Sequence, residues 1–222
     1  MRNIKNDATF LSAKAYEELK RSIVHGELKA GVRLTETSLT EMLGVSRTPI
    51  REALRRLCYE GYLIRSNGYE VKSITRKDVR DILEVRRALE CESARIAAKR
   101  ITETQKAQLS ANFARANDLW NIPDESERLD RFSLLDREFH TEIFEITGNS
   151  HFLELSSSLQ DRLYRLRLAA ITNESEMKDC LFQHKNILDS ILNGEAEHAE
   201  FYSRIHLESI EHLFTKILDD PV

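Results

Sequence analysis

Only 3 prolines and 7 glycines occur among 222 residues. With so few breakers a turn-rich architecture is excluded, and long helices are the expected form. The 3 cysteines, Cys58, Cys91 and Cys180, are odd in number, lie far apart and form no C-x-x-C pair. That excludes a disulfide framework and a zinc-ribbon type of thiolate site, and leaves them as expected packing residues. No apolar run approaches the ~18 residues that would cross a bilayer, and the opening "MRNIKNDATF" lacks the apolar stretch of a secretory signal. The expected location is the cytoplasm, with no membrane partner.

What is present fits a globular protein: 41% hydrophobic and 32% charged residues, in a chain long enough for one large domain or two small ones. The formal net charge of −4 conceals an asymmetry. Through Arg76 there are 14 basic against 9 acidic residues, whereas the remainder holds 19 basic against 28 acidic. A basic module joined to an acidic one is what nucleic-acid binding by the first would produce.

Apolar residues recur at three- and four-residue steps along most of the chain, predicting helices near 13–25, 36–43, 47–60, 76–100, 103–121, 126–147, 150–171, 175–193 and 195–218. One stretch departs from that rhythm. In "GYLIRSNGYEVKSI" β-branched and aromatic residues flank "SNG", which predicts a two-stranded hairpin near 62–72. The boundary then falls near Ser73–Arg76. The fold class is mainly α, with an N-terminal unit over 1–74 and an all-helical unit over 75–222.

Within the first unit, "MLGVSRTPIREALRRLCYEGYL" reads as a helix-turn-helix. Gly44 suits the left-handed close of one helix, Ser46 is placed to cap the next, and Pro49 is tolerated in the first turn. On that second helix Ile50, Ala53, Leu54 and Leu57 share one face, and Arg47, Thr48, Arg51 and Arg55 lie away from it. The polar face begins at the N-terminal end, as a recognition helix in the major groove requires: an arginine can fork onto guanine, and a threonine can meet a base or phosphate. The hairpin would be a wing with Gly68 at its tip. Charge pattern alone fits a solvated helical hairpin equally well.

The order of elements separates the two. The stretch "AYEELKRSIVHGELKAGVRLTETSLTEMLGVSRTPIREALRRLCYEGYL" resembles the winged-helix signature of the GntR family of bacterial regulators, and "GVSRTPIREAL" is its most specific part. The resemblance implies DNA contact by Ser46, Arg47, Thr48 and Arg51 around the recognition helix, by Thr37 in the helix before it, and by Gly68 in the wing. Asn67 stands where the family commonly places an arginine.

The second unit poses a different question in "LLDREFHTEIFEITGN". Asp136 and His140 lie within or beside the apolar stripe of Phe132, Leu135, Phe139 and Ile143. Further on, His184 aligns with Ile187, Leu188 and Ile191, and His206 with Tyr202, Ile210 and Leu213. A buried lone carboxylate costs several kcal/mol, so a partner is expected. Three imidazoles and one carboxylate suit a divalent ion, with Zn²⁺, Ni²⁺, Mn²⁺ and Fe²⁺ all compatible. His25, His151, His198 and His212 fit no such alignment and are expected on the surface.

The span from about 77 to 217 is similar to the FCD domain, an all-helical ligand-binding bundle that accompanies this winged helix in one GntR branch. The similarity rests on "EVRRALECESARIAA", "DREFHTEIFEITGN" and "QHKNILDSILNGEAEHAEFYSRIH". It implies Asp136, His140, His184 and His206 as ligands of a divalent metal ion, and Arg86 as a pocket residue for an effector carboxylate. An ion pair with Glu84 or Glu90 is the plainer role for Arg86. Gln183 stands where a glutamate is often found. The function this implies is a metabolite-responsive regulator, a repressor in the first instance. It would be a homodimer on a palindromic double-stranded operator, released by a small organic or sugar acid. Two alternatives remain at this level. The ion itself can be the signal, or a metal-dependent hydrolase can use Glu138 or Glu142 as base.

Overall fold

The structure is a computed structural model that describes residues 4–24, 26–157, 159, 171 and 173–219. Two compact units divide the chain, Met1–Ile74 and Thr75–Val222.

In the first unit α1 (Ile4–Val24) is followed by β1 (Arg33–Leu34), α2 (Glu36–Leu43), α3 (Arg47–Tyr59), β2 (Leu63–Arg65) and β3 (Tyr69–Val71). Helix α1 starts well before residue 13, because its first turns carry no apolar stripe for a periodicity argument to detect, and Phe10 is exposed. Thr35 caps α2 by accepting from Ser38 N–H, and Ser38 returns the bond to the Thr35 backbone. Gly44 closes the helix at φ 66°, a left-handed conformation that costs other residues about 1–2 kcal/mol. Ser46 occupies the cap position of α3 in extended conformation, yet its side chain makes no capping hydrogen bond. This corrects the capping role expected for it.

The hairpin is part of a three-stranded antiparallel sheet in the order β1-β3-β2, with Leu63 opposite Val71 and Leu34 opposite Tyr69. Two residues, Arg33 and Leu34, are too short a strand for alternation to mark. Leu34, Leu63 and Val71 turn inward, and with Leu19, Leu39, Ile50, Leu54 and Leu57 they form the buried core. That core leaves the first turn of α3 and the sheet's turn outward.

The second unit comprises α4 (Arg76–Arg100), α5 (Glu103–Ala114), a 3₁₀ segment (Arg115–Asn121), α6 (Glu125–Ile146), α7 (150–157), α8 (Glu174–Leu192) and α9 (Ala196–Asp219). The single helix expected over 103–121 changes winding after Ala114. Leu119 is fully buried there. Of the helix expected over 150–171, most of the second half lies outside the described residues. Capping boxes at Thr75–Asp78 and Thr102–Gln105, and caps by Asp124 and Asn173, start the long helices. Ala94, Ala97 and Ala98 of α4 pack with Phe139, Ile143, Ile187 and Ile191 in one core cluster. Helix α4 packs most extensively against α9, whose Ala196 and Ala199 belong to the same cluster.

Candidate functional site

On the winged unit, Thr37, Ser46, Arg47, Thr48, Arg51 and Gly68 are all exposed. The apolar face of α3 is wholly buried through Ile50, Ala53, Leu54 and Leu57, so the opposite face is committed to solvent. Arg51 does not extend freely. Its Nε and Nη2 donate to both carboxylate oxygens of Glu36 at 3.0 and 2.8 Å. The hydrogen bond from Arg51 first, and then its charge and those of Arg47 and Arg55, outweigh desolvation and hold Glu36 below the ordinary carboxylate range. Three arginines therefore surround one acid at the junction of α2 and α3. At the turn of the sheet Asn67 has φ 42° and Gly68 φ 121°, and Ser66 N–H donates to Gly68 O at 3.2 Å. A Cβ at position 68 would meet the Leu34 carbonyl oxygen at 3.5 Å, and it is the positive φ that favours glycine there.

In the helical unit, α6 presents Asp136 and His140, α8 presents His184 and α9 presents His206, all 5% exposed or less. Ligating nitrogens of the three histidines lie within 4.8 Å of one another. His184 Nε2 stands 3.4 Å from His206 Nε2 and 3.5 Å from Asp136 Oδ1, and His140 Nε2 is 3.9 Å from the same oxygen. Atoms bound about 2.1 Å from one ion are roughly 3.0–3.6 Å apart at angles near 90–120°, and about 4.2 Å apart when opposite. These three separations fall in that range, but the close groups among the described residues are two, His140 with His184 and His206, and Asp136 with Cys180 and His184, and no single group holds all four predicted ligands.

The outer nitrogens explain why the inner ones face one another. His140 Nδ1 donates to Glu90 Oε2 at 3.2 Å, and His206 Nδ1 donates to Gln183 Oε1 at 2.9 Å. With the proton held on Nδ1, a neutral imidazole keeps its lone pair on Nε2, the arrangement in which histidines bind metal ions. Gln183 is itself anchored, since its Nε2 donates to Ser209 Oγ at 2.9 Å. An amide thus fills the orienting role open to a carboxylate at this position. These donors fit a divalent ion.

Arg86 is 3% exposed and grips Glu90 through Nε at 2.6 Å and Nη2 at 3.1 Å. Burial works to lower its pKa, but the charge and hydrogen bonds of Glu90 and the charge of Asp136 outweigh it and hold the guanidinium charged. It is the far end of a relay, Arg86 to Glu90 to His140. Glu84 is exposed.

Beside Asp136 and His184 opens a small recess of about 20 Å³, room for about one water, with Asn112, Glu138 and Glu142 among its polar lining and Phe113, Leu135 and Leu181 among its apolar lining. Glu138 is paired with Arg115 at 2.8 Å and Glu142 with Asn112. Burial above all raises the Glu142 pKa, with Glu145 and Glu138 adding to it against the Asn112 hydrogen bond and the charge of Arg115.

His151, His198 and His212 are exposed, and His25 lies outside the described residues. The cysteines divide. Cys91 is buried, and burial pushes its thiol up to about 11. Cys58 is only half-buried, which corrects its expected place in the core. Cys180 is buried beside two of the candidate donors, 3.8 Å from His184 Nε2 and 3.9 Å from Asp136 Oδ1. It was expected only to pack. Its place four residues before His184, on the same helical stripe, is the signal that marks it.

The chain matches the family described as "Bacterial regulatory proteins, gntR family" over residues 11–70 and the one described as "FCD domain" over residues 81–209. It is 31% identical to the HTH-type transcriptional repressor RspR of Escherichia coli over 202 residues, 90% of this chain and 87% of that one. It is 28% identical to the HTH-type transcriptional regulator YdhC of Bacillus subtilis over 201 residues, 89% of this chain and 88% of that one. Among solved structures, the Escherichia coli protein McbR/YncC superposes with a TM-score of 0.72 at 21% identity, covering 93% of this chain and 97% of its own, a likeness of fold. Among the described residues no helix is long and apolar enough to cross a membrane.

Proposed function

The chain belongs to the GntR family of bacterial transcriptional regulators, in the branch that carries an FCD domain, and from that premise we propose that it is a metal-loaded repressor released by a small carboxylate. It works in the cytoplasm as a homodimer on a palindromic operator. Arg47 and Thr48 read bases, while Ser46, Thr37 and Gly68 meet the backbone. Arg51 reaches DNA from its hold on Glu36.

Asp136, His140, His184 and His206 hold the divalent ion, whose chemistry is to anchor an effector carboxylate at positions the protein leaves open. The observation that carries this is the pair of outer hydrogen bonds, from His140 Nδ1 to Glu90 and from His206 Nδ1 to Gln183, which aim both Nε2 atoms inward. The effector is a small organic or sugar acid, the class that the family resemblance implies. Arg86 serves the carboxylate either directly, in competition with Glu90, or by keeping Glu90 on His140.

A difference of about 1–3 kcal/mol in effector affinity between DNA-competent and incompetent states changes operator affinity roughly 5–150-fold. The test is a gel shift with promoter DNA, using apo protein, metal-loaded protein, and metal-loaded protein with a panel of small organic and sugar acids. Release only when metal and one acid are both present is the expected result. Full switching by metal alone would make the ion the signal instead.

A further inference from the structure

Cys180 is the one nucleophilic side chain in the helical unit whose sulfur lies beside two of the candidate donors, and the metal reading above gives it no task. Its Sγ is 3.9 Å from Asp136 Oδ1 and 3.8 Å from His184 Nε2, and all three residues are buried. We propose that Cys180 is a metal ligand of this protein, sharing an ion with Asp136 and His184, whose donor atoms and its own all lie within 4.8 Å of one another, and turning the site toward a thiophilic ion, Zn²⁺ or Co²⁺, and away from Mn²⁺.

The placement is built rather than incidental. Helix α6 offers two donors four residues apart, Asp136 and His140, on its inward face. Helix α8 does the same with Cys180 and His184, in the buried stripe that runs through Met177, Ile187 and Ile191. His184 Nε2 is the shared member, close to His206 on one side and to Asp136 and Cys180 on the other. A sulfur about 2.3 Å and a nitrogen about 2.1 Å from one ion stand roughly 3.1–3.8 Å apart for angles near 90–120°. The 3.8 Å separation from His184 is therefore within a small inward shift of coordination.

Coordination replaces the S–H bond with a sulfur–metal bond, and the proton leaves to solvent. No electron is transferred. A soft thiolate selects Zn²⁺ and Co²⁺ over the oxygen-loving Mn²⁺, which a purely nitrogen and oxygen shell does not exclude.

The inference rests on the metal reading, and one experiment separates the two. The full-length apo protein is titrated with Co²⁺ and followed by absorption. The expected spectrum holds visible d–d bands and, in addition, a near-ultraviolet sulfur-to-cobalt charge-transfer band. Cys180→Ser and Cys180→Ala are expected to keep the d–d bands and lose the near-ultraviolet one. In competition with a chromophoric chelator, their preference for Zn²⁺ over Mn²⁺ is expected to fall by about tenfold or more. Visible bands without the near-ultraviolet band in the unsubstituted protein overturn the Cys180 ligand and leave the four-residue site standing. No cobalt bands at all overturn both.

Discussion

Arg47 and Arg51 lie four residues apart on one exposed helix face, and their surroundings give them different work. Arg47 is free to fork onto a base edge, so Arg47→Ala is expected to lose about 1–3 kcal/mol of discrimination at one base position while its binding to scrambled DNA changes little. Competition gel shifts with operator variants measure this, and equal loss on operator and scrambled DNA would refute base reading by Arg47. Arg51 is held by Glu36, whose pKa its hydrogen bond lowers. A depressed folded-state pKa means that the pair contributes at pH above the ordinary carboxylate value and is lost as pH falls through the depressed one. The carboxyl titration of Glu36, followed by NMR, is expected below the usual range and is expected to return toward it in Arg51→Ala. The helical face of both arginines was legible in the sequence. The acid facing Arg51 was not, because Glu36 lies fifteen residues away on another helix and only the turn at Gly44 brings them together.

At the scale of elements, the caps carry the plainest consequences. Thr75 opens the longest helix of the bundle by accepting from Asp78 N–H, and Asp78 closes the box on the Thr75 backbone. Thr75→Ala is expected to cost about 0.5–2 kcal/mol and to lower the melting temperature by a few degrees, read by calorimetry or circular dichroism. A fall in helix content with no change in melting temperature would contradict it. Helix extents between residues 36 and 100 followed closely from apolar period, cap residues and Gly44. Three features did not. The early start of α1 lacks an apolar stripe, β1 is only two residues long, and the passage from α5 to 3₁₀ winding turns on how Leu119 is buried rather than on local propensity.

For the molecule as a whole, a ligand that binds only the folded state stabilises it by mass action. Metal at about 100 times its dissociation constant adds about 2.7 kcal/mol. Chelator is therefore expected to lower the melting transition of the helical unit and added Zn²⁺ to restore it, whereas His184→Ala is expected to be indifferent to both. A calorimetric scan with and without chelator checks this, and a chelator-sensitive His184→Ala would place the ion elsewhere. The two-unit plan, the helical class and helix α3 were all determined by sequence, since each depends on residues near one another along the chain: apolar period, capping pairs and the basic N-terminal third. Only the tertiary structure decided which polar groups meet. Asp136, Cys180, His184 and His206 come from three helices, and the fixing of His140 by Glu90 and Arg86, like that of His206 by Gln183, depends on the depth and rotation at which those helices pack. That is a property of side-chain volumes across the whole core, which no local stretch of residues encodes.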